Sequence, residues 1–166
     1  MNTEELKQLQ APLKEKYRKE PTSAIITLKA QGKLGEGLSC SVETGRQMAK
    51  AGLHPATGGD GSLACSGDLL LEALVACAGV TLNSVATAIG IEVNSGTVKA
   101  EGDLDFKGTL AISKEVPVGF KAIRLSFDLD CDADEEQKKT LLKLTERYCV
   151  VLQTIVSNTP VDSKII

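Results

Sequence analysis

Between Ser66 and Gly90 the chain reads SGDLLLEALVACAGVTLNSVATAIG, and its only charged residues are Asp68 and Glu72. No other stretch narrows the fold so far. A run of this length without proline reads as one long helix. Ser66 stands where an N-cap belongs, Asp68 suits the positive end of the helix dipole, and Gly90 suits a left-handed stop. A helix that is apolar nearly all the way round has no face for water, so the rest of the fold must wrap it on most sides.

The remaining sequence supplies the wrapping. Residues 4–19 form an amphipathic helix with Leu6, Leu9, Leu13 and Tyr17 on one face; Pro12 interrupts it and Pro21 ends it. TSAIITLKAQG and GLSCSVETG are β-branched and partly alternating, joined through a glycine-rich turn, and predict a hairpin. Residues 46–66 carry no apolar period and predict a long loop with at most one helical turn. GTVKAEGDLDFKG and KAIRLSFDLDC alternate as half-buried strands do, with the less regular TLAISKEVPVGF between them. Residues 133–157 predict a second strong helix, acidic at its start (Asp134, Glu135, Glu136) and basic later (Lys138, Lys139, Lys143, Arg147). Its expected inward stripe is Leu141, Leu144, Tyr148, Val151, Leu152 and Ile155, with Cys149 at the border. Asn158 and Pro160 stop it, and VDSKII is expected to add an edge strand. The order of elements is an α+β pattern in a single domain, residues 1–166, with residues 1–21 as an N-terminal helical extension.

Composition removes several classes of function. The chain has 166 residues, a net charge of −3 and no long basic run, which argues against nucleic acid or an anionic membrane as partner. Aromatic residues are 3% and tryptophan is absent, so a base-stacking platform is not expected. The purely apolar part of residues 73–91 is shorter than a bilayer requires. The opening MNTEELKQLQ does not read as a signal peptide, so the expected location is cytoplasmic. Five cysteines in a reducing compartment are expected to be free thiols. They show no CxxC or CxH spacing, and His54 is the only histidine, so no metal site is expected. The glycines of HPATGGDG are too irregular to cradle phosphate, and no cofactor is expected.

Two cysteines lie on helices. Cys77 is surrounded by Ala73, Ala76, Ala78 and Gly79, small residues that let another backbone approach. A disulfide needs Cα atoms about 4.4–6.8 Å apart, closer than the roughly 8–10 Å between ordinary helix axes. The sequence therefore permits Cys77 and Cys149 to meet. Two readings stay open: small buried hydrophobes, or reactive thiols. Reactivity needs a lowered pKa. Cys77 is eleven residues beyond Ser66, roughly 16 Å along the axis, out of reach of its own helix N-terminus. A cation is the expected cause. Of Arg18, Arg46, Arg124 and Arg147, the candidate is Arg46 at the mouth of the long loop, its alternative being a solvated surface charge. Cys40, Cys65 and Cys131 are expected to be structural.

The segments SGDLLLEALVACAGVTL (66–82), VKAEGDLDF (98–106), IRLSFDLDCDADEEQ (123–137) and TERYCVVLQTI (145–155) resemble the OsmC/Ohr family, the osmotically induced protein C and organic hydroperoxide resistance proteins. The resemblance implies an intertwined homodimer, with two central helices back to back and antiparallel β-sheets around them. It implies an enzyme, a thiol-dependent peroxidase of organic hydroperoxides. Cys77 matches the peroxidatic cysteine and Cys149 the resolving one. A sulfenic acid forms on the first, condenses with the second to a disulfide, and a dithiol reductant restores both. Two departures stand out. A Pro-Glu pair that precedes the family's cysteine helix falls on Ser66 and Gly67 here. Asp68, one residue along, is the candidate substitute, though shorter and about 100° around the helix; its alternative is a first-turn dipole partner. The family arginine lies in a glycine-containing turn, where QGKLGEG offers Lys33, which cannot reproduce a planar clamp. The alternatives are therefore a non-catalytic small-molecule or lipid-binding protein on the same scaffold, or a redox sensor that passes its disulfide to another protein.

Overall fold

Helices form where the chain carries explicit start and stop chemistry. The computed structural model describes residues 2–20, 31–34, 39–43 and 48–165. Helix α1 (Thr3–Lys19) begins at a capping box: Asn2 Oδ1 accepts the Glu5 N–H at 2.8 Å and Glu5 Oε2 accepts the Asn2 N–H at 2.9 Å. It runs through Pro12. Leu6 is buried, while the side chains of Leu9, Leu13 and Tyr17 lie outside the described residues.

Strands β1 (Gln31–Leu34), β2 (Ser39–Glu43), β3 (Met48–Gly52) and β4 (Ala64–Cys65) form a sheet in that order. The expected hairpin is present as the antiparallel β1–β2 pair, Leu34 opposite Cys40; its first segment, residues 22–30, lies outside the described residues. The stretch expected as loop is a correction. Met48–Gly52 pairs antiparallel with β2 in the register Ser39 to Gly52, and β4 then joins β3 in parallel. MAKAG has little strand propensity of its own; a neighbouring strand supplies the hydrogen bonds that hold it. The single helical turn of that stretch is a 3-10 turn, Pro55–Thr57, which His54 caps by accepting the Ala56 N–H on Nδ1 at 3.0 Å.

Helix α2 (Ser66–Ile89) follows β4 directly. Gly90, at φ 77°, ends it: Gly90 N–H reaches Thr87 O at 3.4 Å and Ile91 N–H reaches Ala86 O at 2.9 Å, a Schellman closure. By length and composition α2 is long enough to cross a bilayer, which the shorter apolar count did not anticipate. In the fold its stripe Leu74, Ala78, Leu82, Val85 and Ala86 is committed to the protein interior.

Strands β5 (Val93–Asp103) and β6 (Ala122–Cys131) form a second sheet, joined through the four-residue helix α3 (Phe106–Thr109) and an irregular stretch. Along β6 burial alternates residue by residue, as the sequence requires, with Ile123, Leu125, Phe127, Leu129 and Cys131 inward. Helix α4 (Glu135–Tyr148) starts at a capping box between Asp134 and Gln137. The expected single helix over residues 133–157 breaks at Cys149, whose ψ of 107° is extended, and resumes as α5 (Val150–Val156). Neither proline nor glycine is involved. Gln153 Nε2 donates to the orphaned Glu146 carbonyl at 2.9 Å. Among the described residues the expected strand at VDSKII does not form; residues 159–165 are irregular.

The described chain divides into two units, Met1–Leu13 with Ala73–Lys99 and Ser126–Ile166, and Lys14–Glu72 with Ala100–Leu125. The first has its core in Leu82, Val85, Ala86, Ile91 and Leu141, against which Val93, Phe127, Leu129, Cys131 and Leu144 pack. Thr3 Oγ1 donates to Thr87 O at 2.9 Å and ties the start of α1 to the same unit.

Candidate functional site

The inward stripe of α4 is corrected by burial. Leu141, Thr145 and Cys149 are 1%, 1% and 0% exposed, whereas Tyr148 is 58% exposed with Arg147 5.6 Å over its ring. Cys149 is thus at the centre of the buried face, not on its border. Spacing of four residues puts these three side chains in one row.

Cys77 lies on α2, half-buried, and the Cys149 thiol is near enough to act on its sulfur. Both are free thiols. Burial pushes the Cys77 thiol up, but four donors together outweigh it: the Val151 N–H, the Cys149 thiol, the Thr81 hydroxyl and the Val150 N–H. The net result holds Cys77 below the ordinary thiol range. Cys149 moves the opposite way. Burial raises it first, the Leu152 N–H partly offsets this, and the neighbouring Cys77 sulfur raises it further. One thiol of the pair is prepared to ionise while the other keeps its proton.

The helix break supplies two of these donors. The first N–H groups of a helix have no partner within it. Cys149 is the N-cap of α5 without a side-chain cap bond, and the N–H groups of Val150 and Val151 lower the Cys77 thiol pKa. Among the described residues the groups acting on the Cys77 thiol are uncharged donors; Arg46, the expected cation, lies outside them. These two amides belong to the start of α5 and not to the helix that carries Cys77.

The supporting residues fall elsewhere. Arg46 lies outside the described residues, as does the side chain of Lys33. Arg124 is exposed and forks onto Asp103, with Nη2 to Oδ1 at 2.8 Å and Glu101 at 4.0 Å. Asp68 is on the first turn of α2, nine residues before Cys77, about 13 Å along the axis. It lines a cavity of about 350 Å³ with His54, Cys65, Leu71, Phe106 and Phe120, all in the second unit. An adjoining cavity of about 380 Å³ adds Leu53, Leu70 and Val118. There the His54 ring stacks on Phe106, centroids 4.9 Å apart. A Cβ on Gly67 would meet Phe120, Leu104 and Cys65 Sγ at 3.4–3.6 Å, ordinary contact. Among the described residues no group of three or more His, Cys, Asp or Glu side chains is placed to hold a metal ion.

Sequence reasoning missed Thr81, Thr145 and the backbone of Val150 and Val151. A signal existed for the threonines: Thr81 is four residues after Cys77 and Thr145 four before Cys149, the spacing at which helical side chains are neighbours.

Comparison with known proteins agrees with this architecture. A protein-family model described as OsmC-like protein matches residues 59–164. A comparison with curated protein sequences yields no match. Among solved structures, the chain is similar to an OsmC like protein from Mycoplasma pneumoniae, with 19% identity over 78% of this chain and 87% of that one and a TM-score of 0.65. It is also similar to an organic hydroperoxide resistance protein OsmC from Legionella pneumophila, at 18% identity over 81% and 92% of the two chains with a TM-score of 0.63. The organic hydroperoxide resistance protein OhrB of Bacillus subtilis shares 20% identity over 80% and 93%, with a TM-score of 0.51. At such identities the likeness establishes the fold.

Proposed function

The chain belongs to the OsmC-like family, and from that premise we propose that it is a thiol-dependent peroxidase that reduces organic hydroperoxides through Cys77 and Cys149. The observation that carries this reading is the opposite tuning of two neighbouring thiols, Cys77 toward thiolate and Cys149 away from it. A thiolate is the nucleophile in such chemistry. Cys77 sulfur attacks the terminal peroxide oxygen; an S–O bond forms, the O–O bond breaks, and the alkoxide leaves and takes a proton to become the alcohol. The peroxide is reduced and Cys77 is oxidised to a sulfenic acid. Cys149, having kept its proton, attacks the sulfenic sulfur; an S–S bond forms, and the departing oxygen takes that proton and leaves as water. A dithiol reductant then returns both sulfurs by exchange.

A homodimer and a cytoplasmic location belong to the same proposal. Val80 on α2 is 73% exposed and Val150 on α5 is 68% exposed, apolar surface that a second copy would cover. Cys65, Cys77, Cys131 and Cys149 are all free, as a reducing compartment would keep them. Arg46, from its place at the mouth of the 46–66 stretch, and Asp68, as a substitute for the family glutamate, are proposed as supporting residues.

Stopped-flow mixing with tert-butyl hydroperoxide, with thiols counted by mass spectrometry, tests the reading. Consumption of Cys77 and Cys149 together, one hydroperoxide per pair, is expected. No loss of either thiol at excess hydroperoxide removes the proposal. The second reading, a small-molecule binder, is favoured by the aromatic cavity beside Gly67. An apolar ligand retained in native mass spectrometry by a protein inert to hydroperoxide would establish it.

A further inference from the structure

The chain shows what a helical threonine ordinarily does with its hydroxyl. Thr87 Oγ1 donates to Asn83 O at 2.8 Å and Thr154 Oγ1 donates to Val150 O at 2.8 Å, each back to the carbonyl four residues earlier. Thr145 is 1% exposed, and its Oγ1 is buried with no hydrogen-bond partner among the described residues. Buried hydroxyls are almost always paired, because leaving one unpaired is unfavourable. The exception stands one turn before Cys149, and the Thr145 carbonyl receives the Cys149 N–H at 2.9 Å.

Position narrows what the hydroxyl faces. Along α4, Leu141 packs in the core with Leu82, and Cys149 neighbours Cys77. Thr145 is midway in the same buried row, between the residue that packs with Leu82 and the residue that neighbours Cys77. The sulfur of Cys77 already has its donors in Val151, Cys149, Thr81 and Val150. An oxygen added to that sulfur would have none of them to itself.

Building on the peroxidase reading above, we propose that the Thr145 hydroxyl donates a hydrogen bond to the sulfenic oxygen on Cys77 and steadies that oxygen as it departs when Cys149 attacks. In this step the Cys149–Cys77 S–S bond forms and the Cys77 S–O bond breaks. The Cys149 sulfur is oxidised and the Cys77 sulfur reduced, and the Cys149 proton leaves with the oxygen as water. An interaction that exists only once the oxygen is present favours the intermediate and its transition state over the resting thiols. It also accounts for a buried hydroxyl left unpaired while the site is reduced.

Thr145→Val, which keeps the shape and deletes the hydroxyl, separates this role from a structural one. Mixing with tert-butyl hydroperoxide is followed in two phases, sulfenic acid formation by dimedone trapping and disulfide closure by mass. The expected result is a first phase within about twofold of wild type and closure slowed on the order of tenfold or more, as for loss of one donor at a developing oxyanion. The thermal midpoint should rise, since an unpaired buried group has been removed, and Thr145→Ser should restore closure. Unchanged closure in Thr145→Val overturns the inference while leaving the peroxidase intact. A less stable or unfolded Thr145→Val also overturns it, because the hydroxyl would then have a structural partner. A wild-type protein that forms no sulfenic acid removes the parent reading, and this one with it.

Discussion

The N-termini of α4 and α5 lie on one continuous stretch of chain and are finished in different ways. At α4, Asp134 and Gln137 exchange hydrogen bonds at 2.8 and 2.9 Å, so two exposed donors are satisfied locally by side chains. At α5, Cys149 makes no side-chain cap, and the N–H groups of Val150 and Val151 act on the sulfur of Cys77 from another helix. The same orphan donors that stabilise a helix start in one place lower a thiol pKa in the other. Hydrogen bonds to a charged acceptor are stronger than those to a neutral one, so the α5 donors favour the thiolate.

Deleting the acceptor has the largest effect. Cys77→Ser leaves a hydroxyl for the α5 donors and should keep the fold, while hydroperoxide consumption falls by about a thousandfold or more, as for loss of a nucleophile. The stability comparison has a defined sign. A thiol held low in the folded state contributes stability above the ordinary thiol pKa, and loses it as pH falls through the lowered value. The stability advantage of wild type over Cys77→Ser should therefore grow with rising pH across that interval, measured by urea unfolding. A flat difference would show that the α5 donors do not favour the charged form.

Removing the other cap should do the reverse. Asp134→Ala is expected to cost about 1 kcal/mol, lowering the thermal midpoint by roughly 2–4 °C for a chain of this size, with no change in the pH profile of Cys77 alkylation. A shifted profile would mean that the two ends are coupled. Thr81→Val removes one side-chain donor from Cys77; iodoacetamide alkylation near neutral pH should slow by about two- to fivefold, its pH midpoint moving upward. Val150→Pro should have the smallest effect. Proline is accommodated at the first helical position after an extended residue, Cys149 is extended already at φ −73° and ψ 107°, and only the weakest of the four donors is lost. Its alkylation midpoint should rise less than that of Thr81→Val.

Legibility in the sequence followed the kind of signal involved. The limits of α2 were readable because Asp68 and Gly90 bracket a run without other late charges, and Gly90 does take the left-handed conformation. The alternation of β6 was readable because each inward residue is apolar. Strand β3 was not, since Ala, Lys and Gly carry no strand preference and the strand exists through its register with β2. The break at Cys149 was not, because breaks are read from proline or glycine and this one has neither. Thr145 was passed over since an inward stripe is judged by apolar residues, which also drew Tyr148 into a row it does not join. The two helical cysteines were visible as candidates, whereas the Val150 and Val151 amides that act on Cys77 were not, because peptide N–H groups have no letter in a sequence.

That last point bears on how such a protein can be remodelled. Activation by the amides of residues 150 and 151 depends on chain direction, not on which side chains those positions carry. The valines could be exchanged for larger, smaller or polar residues to reshape the walls around the sulfur without dismantling what makes it acidic. Nor would added salt weaken a contact made by neutral dipoles as it would a distant lysine or arginine.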